Sequence, residues 1–149
     1  MAKTKKIVNL GQNVVLEDNS DYVKALKDEL AEQALIQIGI AVQKGSTAMC
    51  PTDTGRLKSS INYATHTKIG DTDKAKNSKA KDSKPRGQVE EGSVYIGTNV
   101  EYAVYVEMGH TTPSGKHIEA KPFMQQGVKN KIGEVQEILK DYLGRVDNG

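Results

Sequence analysis

From Asp21 to about Thr47, apolar side chains return at every third or fourth position: Val23, Leu26, Leu30, Ala34, Ile38 and Ala41. Lys24, Lys27, Asp28 and Glu32 fall on other faces, so the spacing predicts an amphipathic helix of roughly six or seven turns. Gly45 weakens its last turns, and Pro51 ends it. Just ahead of it, Asp18, Asn19 and Ser20 offer side-chain oxygens to the first free amides. Earlier still, Ile7, Val8 and Leu10 suit a short strand, Gly11 breaks it, and Val14 to Leu16 suits a second. Residues 1–19 therefore read as an extended arm.

After the long helix, Thr52 and Asp53 are placed to cap a short helical turn through Leu57 to Ser60. Ile61, Tyr63, Thr65, Thr67 and Ile69 then alternate as a strand does, and a second strand is expected around Val89 to Thr98, with Val94 and Ile96 on one face. Between the strands, Gly70 to Gln88 is polar throughout. Residues 71–88 hold five Lys, one Arg and three Asp, a local charge of +3. So few apolar groups cannot offset the entropy of ordering a chain, so this stretch is expected to be a long mobile hairpin tip.

Val100, Tyr102, Val104 and Val106 alternate, yet Asn99 suits a helix cap, Glu101 a first turn and Gly109 the position past a helix end. The segment is read as a short helix. His110 to Lys121, with Pro113, Ser114 and Gly115, is expected to be a loop. Pro122 suits the first position of a last helix, whose stripe is Val128, Ile132, Val135, Leu139 and Tyr142, running to about Leu143. Gly127 and Gly133 would mark close approach of another backbone. The expected fold is α+β: a long N-terminal helix and a C-terminal helix packed on a small antiparallel sheet. Its organisation is an arm (1–19), one domain (20–146, with the mobile Lys-rich loop at 70–88) and a frayed tail (147–149).

Composition narrows the chemistry. Charge is nearly balanced, 21 Lys and Arg against 19 acids, where a dedicated nucleic-acid binder usually carries a strongly basic face. With no Trp and one Phe, the core is lean, and part of the stability is expected from neighbours in an assembly. No run reaches the ~20 apolar residues that cross a bilayer, and the basic start is not followed by a secretory apolar core. The chain is expected to be a soluble product of a cytoplasm with no membrane partner. A lone Cys50 rules out an intrachain disulfide and reads as an inert thiol. His66, His110 and His117 do not have zinc-site spacing. Glu101, Glu107 and Glu119 read as surface carboxylates rather than an acid–base pair. No phosphate-loop pattern links the glycines. The reading is a non-enzyme with no cofactor and no metal.

Three stretches in order carry a resemblance. Pro51-Thr52-Asp53-Thr54-Gly55-Arg56-Leu57-Lys58-Ser59-Ser60-Ile61 follows a long helix. Val94-Tyr95-Ile96-Gly97-Thr98 precedes Glu101-Tyr102-Ala103-Val104-Tyr105-Val106-Glu107-Met108-Gly109, and Ala120-Lys121-Pro122-Phe123-Met124 opens the last helix. Over about residues 20 to 143 this succession resembles the neck and tail-completion proteins of long-tailed bacteriophages, also called tail components or minor capsid proteins. The resemblance implies a structural subunit of a ring between portal and tail tube, assembled in the host cytoplasm and carried in the virion at the head–tail junction. It implies as partners further copies of itself (six favoured, twelve the alternative), a portal-side adaptor or stopper protein, a tail-tube or tail-terminator protein, and transient contact with genomic DNA. Thr54, Gly55, Arg56 and Leu57 would shape the turn after the first helix. Tyr102, Ala103, Tyr105, Glu107 and Gly109 would form the short helix and its stop, and Pro122 and Phe123 would seat the last helix. The N-terminal arm and the Lys-rich insertion depart from the family pattern.

The residues themselves agree in part. Gly55 and Gly109 suit tight backbone positions, and Phe123 suits a core anchor. Arg56 and Glu107 are either ordinary surface charges or an ion pair between subunits that fixes orientation. Lys74, Lys76, Lys79, Lys81, Lys84 and Arg86 are either a solvated tip or a lumen lining that touches DNA phosphates without reading sequence; no aromatic is present to stack on a base. Two other functions compete: a small non-specific nucleic-acid-binding module using the basic loop, and a host-directed enzyme or inhibitor, for which no site residues speak.

Overall fold

The computed structural model describes residues 6–9, 15–18, 20–52, 55–73, 75 and 77–147, with 6–9, 15–18, 20–23, 25 and 26 described by backbone alone. The expected strands of the arm are β1 (Lys6–Asn9) and β2 (Val15–Asp18), an antiparallel hairpin paired from Lys6↔Asp18 to Asn9↔Val15. Leu10, Gly11, Val14 and Asn19 lie outside the described residues. The long helix α1 runs Ser20–Met49. On its expected stripe Ala34 and Ala41 are buried and Leu30 and Ile38 half-buried, as the period requires.

The main packing partner of α1 is α4 (Phe123–Asp147). The two helices touch backbone to backbone where Gly45 meets Gly127. A Cβ on Gly45 would stand 2.7 Å from the Gly127 carbonyl oxygen, and one on Gly127 would collide with the backbone of Ser46. Gly127 therefore marks a close approach as expected. Gly133 does not, since a Cβ there would meet nothing.

This contact fixes the rotation of α4, and with it a correction. Gly127, Lys131, Val135, Ile138 and Tyr142 follow one another at helical spacing and face α1. The residues one position on are turned aside by about 100°. Of the stripe expected to seat the helix, Val135 and Tyr142 are half-buried, but Val128, Ile132 and Leu139 are 42%, 54% and 43% exposed. The helix also begins at Phe123, one residue past Pro122, and runs through Asp147 rather than ending near Leu143.

The sheet, packed against α1, is β3 (Asn62–Thr65) with β4 (Val94–Gly97), antiparallel from Asn62↔Gly97 to Thr65↔Val94. Both strands are shorter than the alternation predicts. The Thr65 amide donates to the Lys68 carbonyl at 2.7 Å and the Gly70 amide to the Tyr63 carbonyl at 2.9 Å, so the chain reverses and Ile69 bridges back to Ala64. All four residues of β3 are buried. Tyr63 packs on Gly39 of α1, and the Asn62 side-chain amide donates to the Ser83 carbonyl at 3.0 Å. On β4, Val94 and Ile96 are half-buried and Tyr95 between them is exposed, as expected.

Two short helices complete the core. α2 (Arg56–Ser60) follows Gly55, whose φ of 75° starts the helix without a side-chain cap. Thr52 is thus not its cap, and Asp53 and Thr54 lie outside the described residues. α3 (Ala103–Met108) ends on Gly109 at φ 75°, where a Cβ would stand 2.9 Å from the Ala120 amide nitrogen. Tyr102, not Asn99, precedes it; the Asn99 amide donates instead to the carbonyls of Lys81 and Lys84. The expected loop from His110 to Lys121 holds a small hairpin, β5 (His110–Thr111) with β6 (His117–Ile118). Cys50, Leu57, Ile61, Val100, Ala103 and Phe123 form the core cluster, with Ile96, Tyr102, Val106 and Met124 packed against it. The architecture is α+β, with long first and last helices and a two-stranded antiparallel sheet.

Candidate functional site

The polar stretch between β3 and β4 is anchored by one buried carboxylate. A 3-10 turn, Ala80–Ser83, carries Asp82, whose side chain is 1% exposed. Its Oδ2 accepts the Lys79 amide at 3.0 Å, closing the turn on itself. Arg56, one residue into α2, meets it with two bonds, Nε to Oδ2 at 2.9 Å and Nη2 to Oδ1 at 3.1 Å. The same guanidinium grips Glu101 with Nη1 to Oε1 at 2.9 Å and Nη2 to Oε2 at 3.0 Å. The Tyr102 ring lies 5.8 Å from its central carbon. One arginine thus ties α2, the polar loop and the start of α3 together in the paired geometry that carboxylates favour.

The electrostatics follow. The Arg56 hydrogen bonds, first of all, hold Asp82 below the ordinary carboxylate range against the opposing effect of burial. The same bonds hold Glu101 down at about 2. Bonds from the two carboxylates push the guanidinium up in turn. Elsewhere, burial pulls the Glu32 carboxyl up, but hydrogen bonds from Thr65 and Thr67 outweigh it and the group ends below its usual range. Gln43 plays the neutral counterpart, donating to the Ile61 and Asp71 carbonyls at 3.1 Å each and to Asn62 Oδ1 at 3.2 Å.

The sequence candidates fall into two groups. Gly55, Arg56, Leu57, Tyr102, Glu107, Gly109, Pro122 and Phe123 all belong to the framework around the core. Leu57 and Phe123 are 5% and 2% exposed. Glu107 accepts the Met124 amide at 3.0 Å and the Gln125 amide at 3.1 Å, which caps α4 with a negative charge. Tyr105 stands apart, 57% exposed beside the His110 ring at 5.5 Å. Among the cations, Lys79, Lys81, Lys84 and Arg86 are exposed, spaced around the buried Asp82. Lys74 and Lys76 lie outside the described residues. Lys84 and Arg86 line one wall of a cleft of about 340 Å³ whose other wall includes Ala64, Tyr95 and Thr98.

Sequence reasoning missed Asp82 and the role of Glu101, since nothing marks one acid in a polar loop as the buried one. It also missed Gln43 and Asn62. The chemistry of the Arg56 cluster is cohesive: the guanidinium and the carboxylates of Asp82 and Glu101 bind one another within the chain. Burial pushes the Cys50 thiol up to about 11, unsuited to nucleophilic attack. No group of three or more metal-ligating side chains occurs among the described residues, and no described helix is long and apolar enough to cross a membrane.

No curated protein and no solved structure matches the chain. A family model described as "Bacteriophage HK97-gp10, putative tail-component" matches residues 14–109. That match takes in α1, the Arg56 cluster, the sheet and α3, and the chain belongs to this HK97-gp10-like family of bacteriophage tail components.

Proposed function

We propose that the chain is a structural subunit of a ring at the head–tail junction, seated between a portal-side adaptor or stopper protein and a tail-tube or tail-terminator protein. The family match makes it a phage structural component; the ring, the position and the passage of DNA are the reading advanced here. One observation carries it. The scaffold ties down a buried carboxylate, Asp82, with Arg56, yet leaves large apolar side chains outside, on α3 and on α4. A soluble monomer gains nothing from such side chains, whereas an assembly buries them. Six copies match a six-fold tail tube, with twelve the alternative, and head-to-tail contacts that close generate a ring of either size.

The exposed Lys79, Lys81, Lys84 and Arg86 suit a lumen that DNA passes without being read. The mass of the purified protein, alone and with portal or tail-tube protein, tests the reading. A ring-sized species, or a monomer that becomes a ring on adding a partner, is the expected result. A monomer that ignores both partners but binds DNA in low salt would replace this reading with a small nucleic-acid-binding module.

A further inference from the structure

We infer that the cleft between the polar loop and the sheet binds unpaired nucleotides of DNA, with phosphates on Lys84 and Arg86 and a base on Tyr95. The inference rests on the DNA contact proposed above and changes its kind. A backbone contact alone takes any duplex, whereas this site prefers a single strand.

Tyr95 is a residue that the fold itself does not use. On β4 it stands directly opposite Ala64, and Gly97 stands opposite Asn62, so by the two-residue period these four share one face of the sheet. The alternate residues Val94 and Ile96 turn the other way, and Ile96 packs against the core. The Tyr95 ring is 52% exposed, and its hydroxyl has no hydrogen bond among the described residues. Ala64 and Gly97 add little bulk beside it, and a Cβ on Gly97 would meet nothing. An aromatic ring is left open over a low floor.

The polar loop brings cations to that ring. Its backbone is tied down by the Asn62 side chain, which donates to the Ser83 carbonyl at 3.0 Å, and by the Asn99 amide, which donates to the Asp82 carbonyl at 2.8 Å. The Asn99 side chain adds bonds to the Lys81 and Lys84 carbonyls. Lys84 and Arg86 then line the same cleft as Tyr95, about 340 Å³ in volume and within the range of small-ligand sites. Both are exposed, and neither forms an ion pair among the described residues. The carboxylate in the lining, Asp82, has both oxygens bonded by Arg56. Counting Arg56, Lys84 and Arg86 against Asp82 and Glu101, three positive charges face two negative. The exposed Glu90 and Glu91 follow in the chain but lie outside the lining. Cations held in place beside an open ring match the two parts of a nucleotide, its phosphate and its base. In a duplex the base faces are stacked on one another, so the ring can stack only on an unpaired base, and it does so whatever the sequence.

Fluorescence anisotropy of the full chain tests this with a labelled oligothymidylate, a blunt duplex, and the same duplex carrying a single-stranded overhang. The oligothymidylate and the overhang are expected to bind more tightly than the blunt duplex. Tyr95→Ala should weaken single-strand binding by roughly 10-fold and leave the blunt duplex unchanged, while Tyr95→Phe keeps both. Lys84→Gln with Arg86→Gln should lower the salt slope of single-strand binding by about 1.4, two contacts at about 0.7 each. As a second measurement, Tyr95→Trp gives the chain its only tryptophan. Its emission should be quenched by the oligothymidylate and not by the blunt duplex. A blunt duplex that binds as tightly as the single strand overturns the inference and leaves the phosphate contact standing. So does a folded Tyr95→Ala that binds the single strand like wild type, or a tryptophan that the single strand does not quench. A chain that binds no oligonucleotide at low salt, alone or in the assembled ring, overturns the DNA contact as well, and the ring is then judged by its mass alone.

Discussion

At the scale of single residues, the molecule depends on how a few polar groups are spent. Asp82 is 1% exposed, while Glu101, on the same arginine, has a side chain 67% exposed. Removing the shared cation leaves a carboxylate buried without its partner, a large penalty, whereas removing an exposed acid costs little. Arg56→Ala should therefore lower the thermal unfolding midpoint by about 10 °C, and Glu101→Gln by no more than a few degrees, in parallel circular-dichroism melts. Equal losses would show that the bond to Asp82 does not anchor the loop. The pH dependence has a definite sign. Asp82 and Glu101 both have folded pKa values below their ordinary 3.8 and 4.5. Each therefore binds its proton more weakly when folded and stabilises the fold above the ordinary value. That stabilisation is lost as pH falls through the folded value, which for Glu101 is about 2. Urea midpoints should be level from neutral pH to about 5 and fall steadily between about 4.5 and 2, with Arg56→Ala showing a shallower fall.

At the scale of elements, the crossing of α1 and α4 separates two glycines that look alike in the sequence. Gly127→Ala would place a methyl group into the backbone of Ser46 and should cost about 1–3 kcal/mol. Gly133→Ala meets nothing, and in a helix interior should stabilise by up to about 1 kcal/mol. Opposite signs in urea unfolding are the expected outcome; a shared sign would mean that the helices cross elsewhere. The same crossing explains why the apolar stripe read from α4 was only half right. Periodicity identifies which residues share a sector, but the sector here is wider than one neighbour can cover. The contact through Gly45 and Gly127 decides that Val135 and Tyr142 turn inward and Val128, Ile132 and Leu139 outward. The strand expected to reach Ile69 shows a related limit. Thr67 and Ile69 keep the alternation of Tyr63 and Thr65, but the bonds from Thr65 to Lys68 and from Gly70 to Tyr63 fold the chain back.

At the scale of the whole molecule, the exposed cations of the polar loop are held by the Arg56–Asp82 contact rather than by any core of their own. Within the ring reading, substituting Lys79, Lys81, Lys84 and Arg86 together by Gln should leave assembly intact and weaken DNA retention equally for all sequences. If each meets one phosphate, the slope of log affinity against log salt should fall by roughly 3 to 4, measured on the assembled ring. An unchanged slope would remove this loop from the DNA path.

Local physics placed much of this protein within reach of its sequence. The spacing from Leu30 to Ala41 made α1, Gly109 stopped α3, Phe123 anchored the core, and the ordered stretches around Arg56, Tyr102 and Pro122 carried the family resemblance. These features depend on neighbours along the chain, or on a side chain with one favourable environment. Tertiary structure alone decided which of many acids is buried, that Asn99 reaches back to Lys81 and Lys84 instead of capping a helix, and which side of α4 faces water. Each of those depends on groups distant in sequence meeting in space: Arg56 with Asp82, Gln43 with Asn62, Gly45 with Gly127. A one-dimensional pattern carries the preference of each partner but not the meeting.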